Sequence, residues 1–363
     1  MSISIQAVDA LERIDRHAYE TLYAASRASL FYDWRFLLAA ERSPLLPVEK
    51  TVYLCAYDDG ELCGFLPAYL QRLAGVDPLG LLAGSAGVRD GGGELGLFSH
   101  VMHCWDSGIP CLEAASGARE RLLRALLDTA SREGASYAGL LNLEDPALFA
   151  PLRACGLAPR PLVERYDLDL ARFDDFEQLL RALPRGGRAE MRRQLRKFEA
   201  STASARVLAP PFDRTLEAVC GLCFATTARR GTPHYFPAAP LARFVRLCGE
   251  LARVIVIESD GAPISGMICY QSRDAFYLWS AGVVYDRCDF SPYTVCFAAA
   301  YRYAFAAGLR RVEGGRLNER IKRRLGLSPS TLYSALAPLP RAGARAAAPH
   351  AHAHASATTV SVD

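Results

Sequence analysis

The chain has 363 residues, 51% of them apolar, and a formal net charge of +3. This length is sufficient for two ordinary hydrophobic cores, and so small a net charge excludes a protein whose whole surface binds nucleic acid. No segment offers about 18 uncharged apolar residues, so membrane insertion is not expected. The eleven cysteines are scattered through apolar segments and the N-terminus lacks the pattern of a signal peptide. We therefore predict reduced thiols and a cytoplasmic location.

The first part of the chain carries an α/β pattern. Its predicted elements, in order, are helical segments over 9–26 and 34–41, a β-hairpin over 52–69, a helix over 119–132, a strand over 137–143 and a short helix ending at Gly156. The hairpin is indicated by two apolar strands joined at Asp58 and Gly60, because Asp and Gly are typical of tight turns. The Gly-rich segment 75–108 has no pattern that assigns it to a helix or a strand.

The second part repeats this order. Its predicted elements are a strand over 165–170, helices from 173, over 185–200, over 215–230 and over 240–251, a β-hairpin over 254–270, a strand over 276–282, a helix over 292–307, a strand over 309–313 and a short helix ending at Gly326. A hairpin, a helix, a strand and a short helix thus occur twice, which indicates a duplicated fold. We predict α/β domains over 1–164 and 165–338, followed by a disordered low-complexity tail over 339–363.

A possible phosphate site lies where the loop 283–290 joins the strand over 276–282 to a helix that begins with Ser291 and Pro292. Ser is a preferred N-cap residue and Pro a preferred first helical residue. The free N–H groups at such a helix N-terminus attract phosphate, so Ser291 and Thr294 are predicted to bind the phosphates of a ligand. From this segment alone, an ordinary capped helix is an equally good interpretation.

Three segments carry a resemblance to a known family: the basic helix over 183–197, the strand, loop and helix over 277–300, and the closing run over 313–327. With these segments the chain resembles the tandem acyltransferases of the Fem type and their BioF-like relatives, which are built from two domains of the GNAT acetyltransferase fold. The resemblance implies two tandem GNAT-like domains, each a mixed central sheet flanked by helices. Two family features are missing: the Gln/Arg-x-x-Gly-x-Gly pyrophosphate loop, and the long paired-helix insertion of the aminoacyl-tRNA-dependent peptidoglycan enzymes. The second absence weakens tRNA as the donor.

The same resemblance implies an N-acyltransferase, which moves an acyl or aminoacyl group from a phosphate-bearing carrier to an amine by direct attack. Such an enzyme holds donor and acceptor together and stabilises the tetrahedral oxyanion, without a covalent enzyme intermediate. No tightly bound cofactor and no metal is expected; acyl-CoA, acyl carrier protein or aminoacyl-tRNA is the co-substrate, and the acceptor is a small molecule or a peptide. Two alternatives stay open: an aminoacyl-tRNA-dependent transferase, and a non-catalytic binding protein on a GNAT-like fold.

Glu313 and His234 are the candidates for the base that deprotonates the amine. Glu313 ends the last strand predicted in the second part, although pairing with Arg310, Arg311 or Arg316 in a structural network is an equally good interpretation. His234 lies in the aromatic loop 232–237, and a lone histidine is more often a structural hydrogen-bonding residue. Tyr285 and Tyr293 are candidates for donating a proton to the leaving thiolate, with filling of the domain interface as the alternative.

Cations crowd the closing segment of the second part. Arg316, Lys322 and Arg323 are predicted to bind the phosphates of the carrier. Among them, Lys322 occupies the place of the family's closing lysine. The helix over 185–197 holds six cations and is expected to steer the same polyanion, although a charge run is usually a solvated face.

Overall fold

The computed structural model describes residues 3–77, 80–85, 87–89, 93–229, 231, 236–284 and 286–340. Its strands are β1 (Ser4–Val8), β2 (Lys50–Asp58), β3 (Glu61–Arg72), β4 (Leu95–Ser99), β5 (Tyr137–Leu143), β6 (Pro159–Asp169), β7 (Ser204–Leu208), β8 (Ala252–Ser259), β9 (Ala262–Gln271), β10 (Ala275–Val283), β11 (Arg311–Arg316) and β12 (Ser328–Pro338). Its α-helices are α1 (Arg16–Ser26), α2 (Trp34–Arg42), α3 (Leu73–Val76), α4 (Leu81–Ser85), α5 (Ala118–Arg132), α6 (Phe149–Ala154), α7 (Phe176–Ala182), α8 (Arg185–Glu199), α9 (Thr215–Arg229), α10 (Ala238–Leu247), α11 (Pro292–Ala306) and α12 (Glu319–Arg324). Short 3-10 helices cover Leu11–Arg13, Leu30–Tyr32, Pro146–Leu148, Leu170–Arg172 and Gly249–Leu251.

All strands of the described residues belong to one mixed sheet, in the order β1-β2-β3-β4-β5-β12-β6-β11-β10-β9-β8-β7. Each half contains an antiparallel hairpin, β2–β3 or β8–β9, whose second strand pairs with β4 or β10. β4 runs parallel to β5, and β10 runs parallel to β11, with α5 and α11 as the crossover helices. The predicted α/β class and the duplicated order of elements are thereby confirmed.

The two halves share strands at the centre of the sheet. β6 pairs with β11, and β12 lies between β5 and β6. The end of each half therefore completes the sheet of the other. The strand expected to begin at residue 165 begins earlier, so the predicted boundary between 164 and 165 falls within β6.

Both hairpins close through two-residue turns whose residues have left-handed backbone conformations. Asp59 and Gly60 join β2 to β3 with φ values of 48° and 87°, and Asp260 and Gly261 join β8 to β9 with 50° and 76°. A two-residue turn with positive φ at both positions matches the twist of a hairpin, and an Asp-Gly pair adopts it readily. The Asp and Gly signal in the sequence therefore has a direct conformational cause.

One aromatic core joins the halves on one face of the sheet. Phe36 of α2 packs edge-on against Phe244 of α10, with ring centroids 5.2 Å apart, and Phe31 packs against Tyr277 of β10 at 5.6 Å. All four side chains are buried. Burying an aromatic side chain of this size stabilises a fold by about 1.5–3 kcal/mol, so this core fixes the first half against the second.

Some elements differ from those predicted. The segment 75–108 contributes the end of α3, α4 and β4, and β12 also carried no clear pattern. β11 continues to Arg316 rather than ending at residue 313. The predicted tail lies outside the described residues from 341 onward. Among the described helices, none combines the length and the apolar character needed to cross a bilayer.

Candidate active site

The parallel strands β10 and β11 separate part-way along their length. They pair from Ala275 and Arg311 as far as Tyr277 and Glu313, after which no further pairing exists between them. Two glycines allow β11 to turn away: a Cβ on Gly314 would lie 2.4 Å from a side-chain atom of Leu327, and Gly315 has a φ of +69°. A side chain at either position would clash or strain the backbone. The separation is therefore built into the sequence.

A cavity of about 170 Å³ occupies the space between the separated strands. Its aromatic walls come from both halves and from the crossover helix: Trp105, Phe236, Trp279, Tyr293 and Phe297. Its polar lining includes Thr226, Thr227, Ser280, Arg316 and Asn318. The facing edges of β10 and β11 have no strand partner there, and such edges can hydrogen-bond an extended chain that carries amides.

Lys322 ties down the end of β11. Its Nζ donates hydrogen bonds to the carbonyl oxygens of Gly315 at 2.9 Å and Arg316 at 2.5 Å, and its side chain is only 2% exposed. The register of β11 against β6 shifts between Glu313 and Arg316, which frees these carbonyls from the sheet. The ammonium therefore stabilises the strand end. Binding of carrier phosphates by Lys322 stays a prediction, although two carbonyl oxygens already accept hydrogen bonds from its ammonium group.

Beside the cavity lies a buried cluster of charges around Arg165 of β6. Its guanidinium contacts the carboxylates of Asp106 and Glu144, and Nη1 lies 3.3 Å from Oε1 of Glu313. Arg311 approaches the same Glu313 oxygen at 3.6 Å. The network interpretation of Glu313 is therefore the one that its contacts favour. Arg311 had been a candidate partner, whereas Arg165 had not.

Glu313 does not present a free carboxylate to the cavity. It is fully buried, neither of its oxygens accepts a hydrogen bond from a described residue, and the cavity wall begins at the next residue, Gly314. Burial raises the pKa of Glu313 to about 8, against the opposing effect of Arg165. With Glu313 protonated at neutral pH, the two positive charges of Arg165 and Arg311 face the two negative charges of Asp106 and Glu144. The net charge of these four groups is then zero. The expectation of a direct base at Glu313 is thus corrected by its burial.

The corresponding cleft of the first half is filled by its own chain. β4 and β5 pair as far as Ser99 and Leu140. Beyond this point Asn142 donates hydrogen bonds from Nδ2 to the carbonyl oxygens of Met102 at 3.1 Å and Cys104 at 2.6 Å. The loop 100–107 therefore occupies the space that is a cavity in the second half.

The same loop builds one wall of the second-half site. Trp105 lines the cavity. Asp106 contacts Arg165 and accepts a hydrogen bond of 3.0 Å from the hydroxyl of Tyr277. The carbonyl oxygen of His103 accepts one of 3.1 Å from the indole of Trp279. The filled cleft of the first half thus supports the open cleft of the second.

Residues 185–323 match the model of the acetyltransferase (GNAT) domain family. This segment, less than half of the chain, is similar to a GNAT acetyltransferase domain. The matched segment contains the separated strands, the crossover helix α11 and Lys322, so the family match falls on the half that holds the cavity. No curated protein matches the sequence.

Solved structures resemble this chain over both halves. The tandem GNAT protein from the clavulanic acid biosynthesis pathway is 12% identical, with a TM-score of 0.56 over 93% of this chain and 98% of that chain. FemX is 11% identical, with a TM-score of 0.58 over 91% and 96%. L-PGS from Bacillus licheniformis is 11% identical, with a TM-score of 0.55 over 88% and 91%. Identities this low show the fold alone, and the predicted tandem GNAT fold of Fem type is confirmed.

The start of α11 is a capped helix. The hydroxyl of Ser291 accepts a hydrogen bond from the N–H of Thr294 at 3.3 Å, and the hydroxyl of Thr294 lies 3.1 Å from that of Ser291. The N–H of Ser291 donates to Oε1 of Gln194 in α8 at 2.7 Å. Two of the groups predicted to bind phosphate are therefore already engaged. Tyr293, in the same turn, lines the cavity.

The remaining predicted residues fall in three places. Arg316 lines the cavity and donates a hydrogen bond from Nη1 to Oδ1 of Asn142 at 3.1 Å. Arg323 is exposed and pairs with Glu319 at 2.8 Å. His234 and Tyr285 lie outside the described residues. The cavity thus brings together Tyr293, Arg316 and Lys322 among the predicted residues.

Several site residues were missed by sequence reasoning: Trp105, Asp106, Arg165, Tyr277 and Trp279. Trp105 and Asp106 lie in the segment without an assignable pattern. Arg165 carries a weak signal, since it is a cation directly before the apolar and acidic run over 166–170. Within the described part of the chain, no group of His, Cys, Asp and Glu side chains is arranged to hold a metal ion.

Proposed function

We propose that this chain transfers an acyl group from a pantetheine thioester to a primary amine in the cavity between β10 and β11. The observation that carries the proposal is the pair of separated parallel strands with a cavity between them. An extended pantetheine arm has amide groups that can hydrogen-bond the free strand edges, much as an added strand would. The aromatic walls exclude water from the thioester and so protect it from hydrolysis.

The reaction requires no covalent bond to the protein. The neutral amine attacks the thioester carbonyl carbon, the C–S bond breaks, and the amine proton passes to the base, His234, and from there to water. The leaving thiolate takes a proton from the hydroxyl of Tyr293, which lines the cavity and regains a proton from water. Positioning of two reactants in this way supplies most of the acceleration.

The developing oxyanion needs a hydrogen-bond donor. In β10, Leu278 pairs with Cys269 and Ser280 with Ile268, so Trp279 is an extra residue in the strand. A bulged residue is left out of the ladder. We assign the backbone N–H of Trp279 to the oxyanion, because such donors act most strongly when they are fixed before the reaction.

His234 stays the candidate for a base, and Glu313 is assigned a structural role in the charge cluster with Arg165 and Arg311 rather than removal of a proton from the amine. We further propose that the protein works in the cytoplasm. All eleven cysteines lie in the described part of the chain, where none forms a disulfide. Burial raises the pKa of several, for example that of Cys111 to about 12, which keeps them unreactive.

A cavity-filling variant tests the proposal. Ala281 lines the cavity, whereas Ala262, at the start of β9, does not. We expect acetyl-pantetheine and acetyl-CoA to raise the melting temperature of the wild type and of Ala262→Phe, but not that of Ala281→Phe. In the presence of a panel of amines, the wild type and Ala262→Phe should release thiol from these donors, and Ala281→Phe should not. Stabilisation of Ala281→Phe equal to that of the wild type would place the donor elsewhere.

The aminoacyl-tRNA alternative is tested in the same assay. If an aminoacyl-tRNA were the donor, ribonuclease added to the assay would abolish acylation of the amine. We expect ribonuclease to leave the turnover with acyl-pantetheine unchanged.

A further inference from the structure

A basic surface adjoins the cavity, formed by exposed arginines of α8 and α12. Its members share one property, since none forms a salt bridge with a described residue: Arg185, Arg192, Arg196, Arg320 and Arg324. The two helices carry three acidic residues: Glu190 and Glu319 are paired, with Arg193 at 2.7 Å and with Arg323 at 2.8 Å, and Glu199 ends α8. Cations therefore outnumber carboxylates on this surface.

The two helices are in direct contact. A Cβ on Gly187 of α8 would lie 1.8 Å from the carbonyl oxygen of Arg324 at the end of α12. Only glycine allows this approach. α8 also reaches the start of α11 through the hydrogen bond from Ser291 to Gln194. The basic surface thus borders the helix and the strand end that line the cavity.

An open depression on α12 leads to the cavity. It has a volume of about 550 Å³ and includes Arg320, Ile321 and Arg324 in its walls. Asn318 lines both the depression and the cavity. A ligand seated on α12 is therefore adjacent to the mouth of the proposed thioester site.

Two exposed apolar side chains accompany the cations of α12. Leu317 is 38% exposed and Ile321 is 44% exposed, and they are the large apolar side chains that the described residues leave exposed. Cations around an apolar pair complement a helix that has an acidic rim and an apolar centre. Single-stranded nucleic acid would instead be held by aromatic stacking, and neither exposed side chain is aromatic. The chemistry favours a protein over RNA.

Among the described residues, three backbone positions at the start of α11 do not offer a free N–H group to a pyrophosphate. At the start of α11, Pro292 has no N–H, and those of Ser291 and Thr294 are already donated within the protein. A pantetheine arm attached to a protein through a single phosphodiester does not need a seat for a pyrophosphate. A carrier protein would take its affinity from its own surface instead.

We propose that the basic surface docks an acidic carrier protein, whose phosphopantetheine arm enters the cavity past Asn318. This inference rests on the proposed function, because it names the carrier of the thioester used there. It predicts that affinity resides in charge pairs at the surface and falls steeply with salt.

The test measures binding of a stand-alone bacterial acyl carrier protein, in its holo form, to the full chain by calorimetry at low ionic strength. We expect Arg320→Glu/Arg324→Glu to raise the Kd at least about tenfold. The matched control, Arg124→Glu/Arg214→Glu, reverses two exposed arginines on α5 and before α9, and should leave the Kd unchanged. Absence of binding by the wild type, or equal loss in both variants, would overturn the docking proposal.

A second measurement separates this proposal from the proposed function. Turnover with acyl-pantetheine, which has no carrier surface, should be the same in the wild type and in Arg320→Glu/Arg324→Glu. Turnover of acyl-pantetheine without carrier binding would leave the reaction intact and remove the docking surface. No turnover of acyl-pantetheine by the wild type would instead contradict the reaction. The wild type could instead bind total tRNA or anionic vesicles more tightly than it binds the carrier protein, and lose that binding in Arg320→Glu/Arg324→Glu. This result would assign the surface to RNA or to lipid and also overturn the proposal.

Discussion

The buried carboxyl group of Glu313 makes a quantitative prediction about stability. Burial raises its pKa from the ordinary value of 4.5 to about 8. Between these two values the folded protein keeps the proton while the unfolded chain has lost it. The folded state then binds more protons than the unfolded state, so stability falls as the pH rises. The contribution is largest in mildly acidic solution and is lost as the pH passes through about 8.

The expected size follows from the pKa difference. One pKa unit corresponds to about 1.4 kcal/mol, and integration from pH 6 to pH 9 gives a loss of about 3 kcal/mol. Glu313→Gln replaces the protonated acid with a neutral group of similar shape and removes this dependence. We expect the variant to gain about 3 kcal/mol relative to the wild type over that interval.

Urea unfolding at pH 6 and pH 9, followed by tryptophan fluorescence, measures the difference between wild type and variant. Glu61→Gln, at an exposed position that begins β3, is the matched control and should show no change in that difference. The free energies of unfolding of the wild type and of Glu313→Gln could instead differ by the same amount at pH 6 and at pH 9. This result would show that Glu313 is ionised in the folded protein. The reasoning about the balanced cluster would then be refuted.

The same variant separates a structural from a catalytic role. Removing a general base typically costs about 10²–10⁴-fold in rate. Because Glu313 does not reach the cavity, we expect folded Glu313→Gln to keep its turnover within about threefold at pH 7, well short of that loss. A loss of a hundredfold in a folded variant would return Glu313 to the role of base.

Three further substitutions test the architecture of the site. Lys322→Met leaves two buried carbonyl oxygens without their donor and should lower the free energy of unfolding by about 2–4 kcal/mol, measured in urea. Gly314→Val introduces a Cβ 2.4 Å from Leu327 and should cost about 1–3 kcal/mol while weakening thioester binding in a thermal-shift titration. Arg165→Met leaves the carboxylates of Asp106 and Glu144 uncompensated and should destabilise by about 3–5 kcal/mol; a milder effect at pH 4 than at pH 7 would confirm the electrostatic cause. Wild-type stability in any of these variants would contradict the contact assigned to that residue.

Local signals predicted much of the fold. The Asp-Gly pairs fixed both hairpins because their residues adopt positive φ readily, and the Ser291-Pro292 pair marked the start of α11 because it caps the helix. β5 was placed at its observed bounds, 137–143, by an uninterrupted apolar run. These features depend on residues close in sequence, so they are readable without the structure.

Other parts depend on contacts between distant residues. The cluster around Arg165 joins residues 106, 144, 165, 277 and 313, which no spacing rule connects. β12 lies at the centre of the sheet although it contains Pro329 and Pro338. Both prolines lie at its ends, where fewer ladder hydrogen bonds are needed. Neither the cluster nor this strand carried a local signature.

Lys322 shows why a family resemblance did not settle a role. The sequence placed a lysine among cations after the last strand of the repeat, and phosphate binding followed by analogy. The two glycines at 314 and 315 bend β11 and free carbonyl groups that the buried ammonium satisfies. These carbonyl oxygens need a hydrogen-bond donor in the protein interior, and the ammonium group of Lys322 supplies it.

The central claim is that the thioester binds between β10 and β11 of the second half. The most direct test is a crystal structure of the protein with a non-hydrolysable acetyl-pantetheine analogue, in which a methylene group replaces the sulfur. The account predicts an extended arm between Trp279 and Gly315, with its carbonyl oxygen within hydrogen-bond distance of the N–H of Trp279. Density for the analogue between β4 and β5, or a second-half cavity left unchanged at saturation, would contradict it.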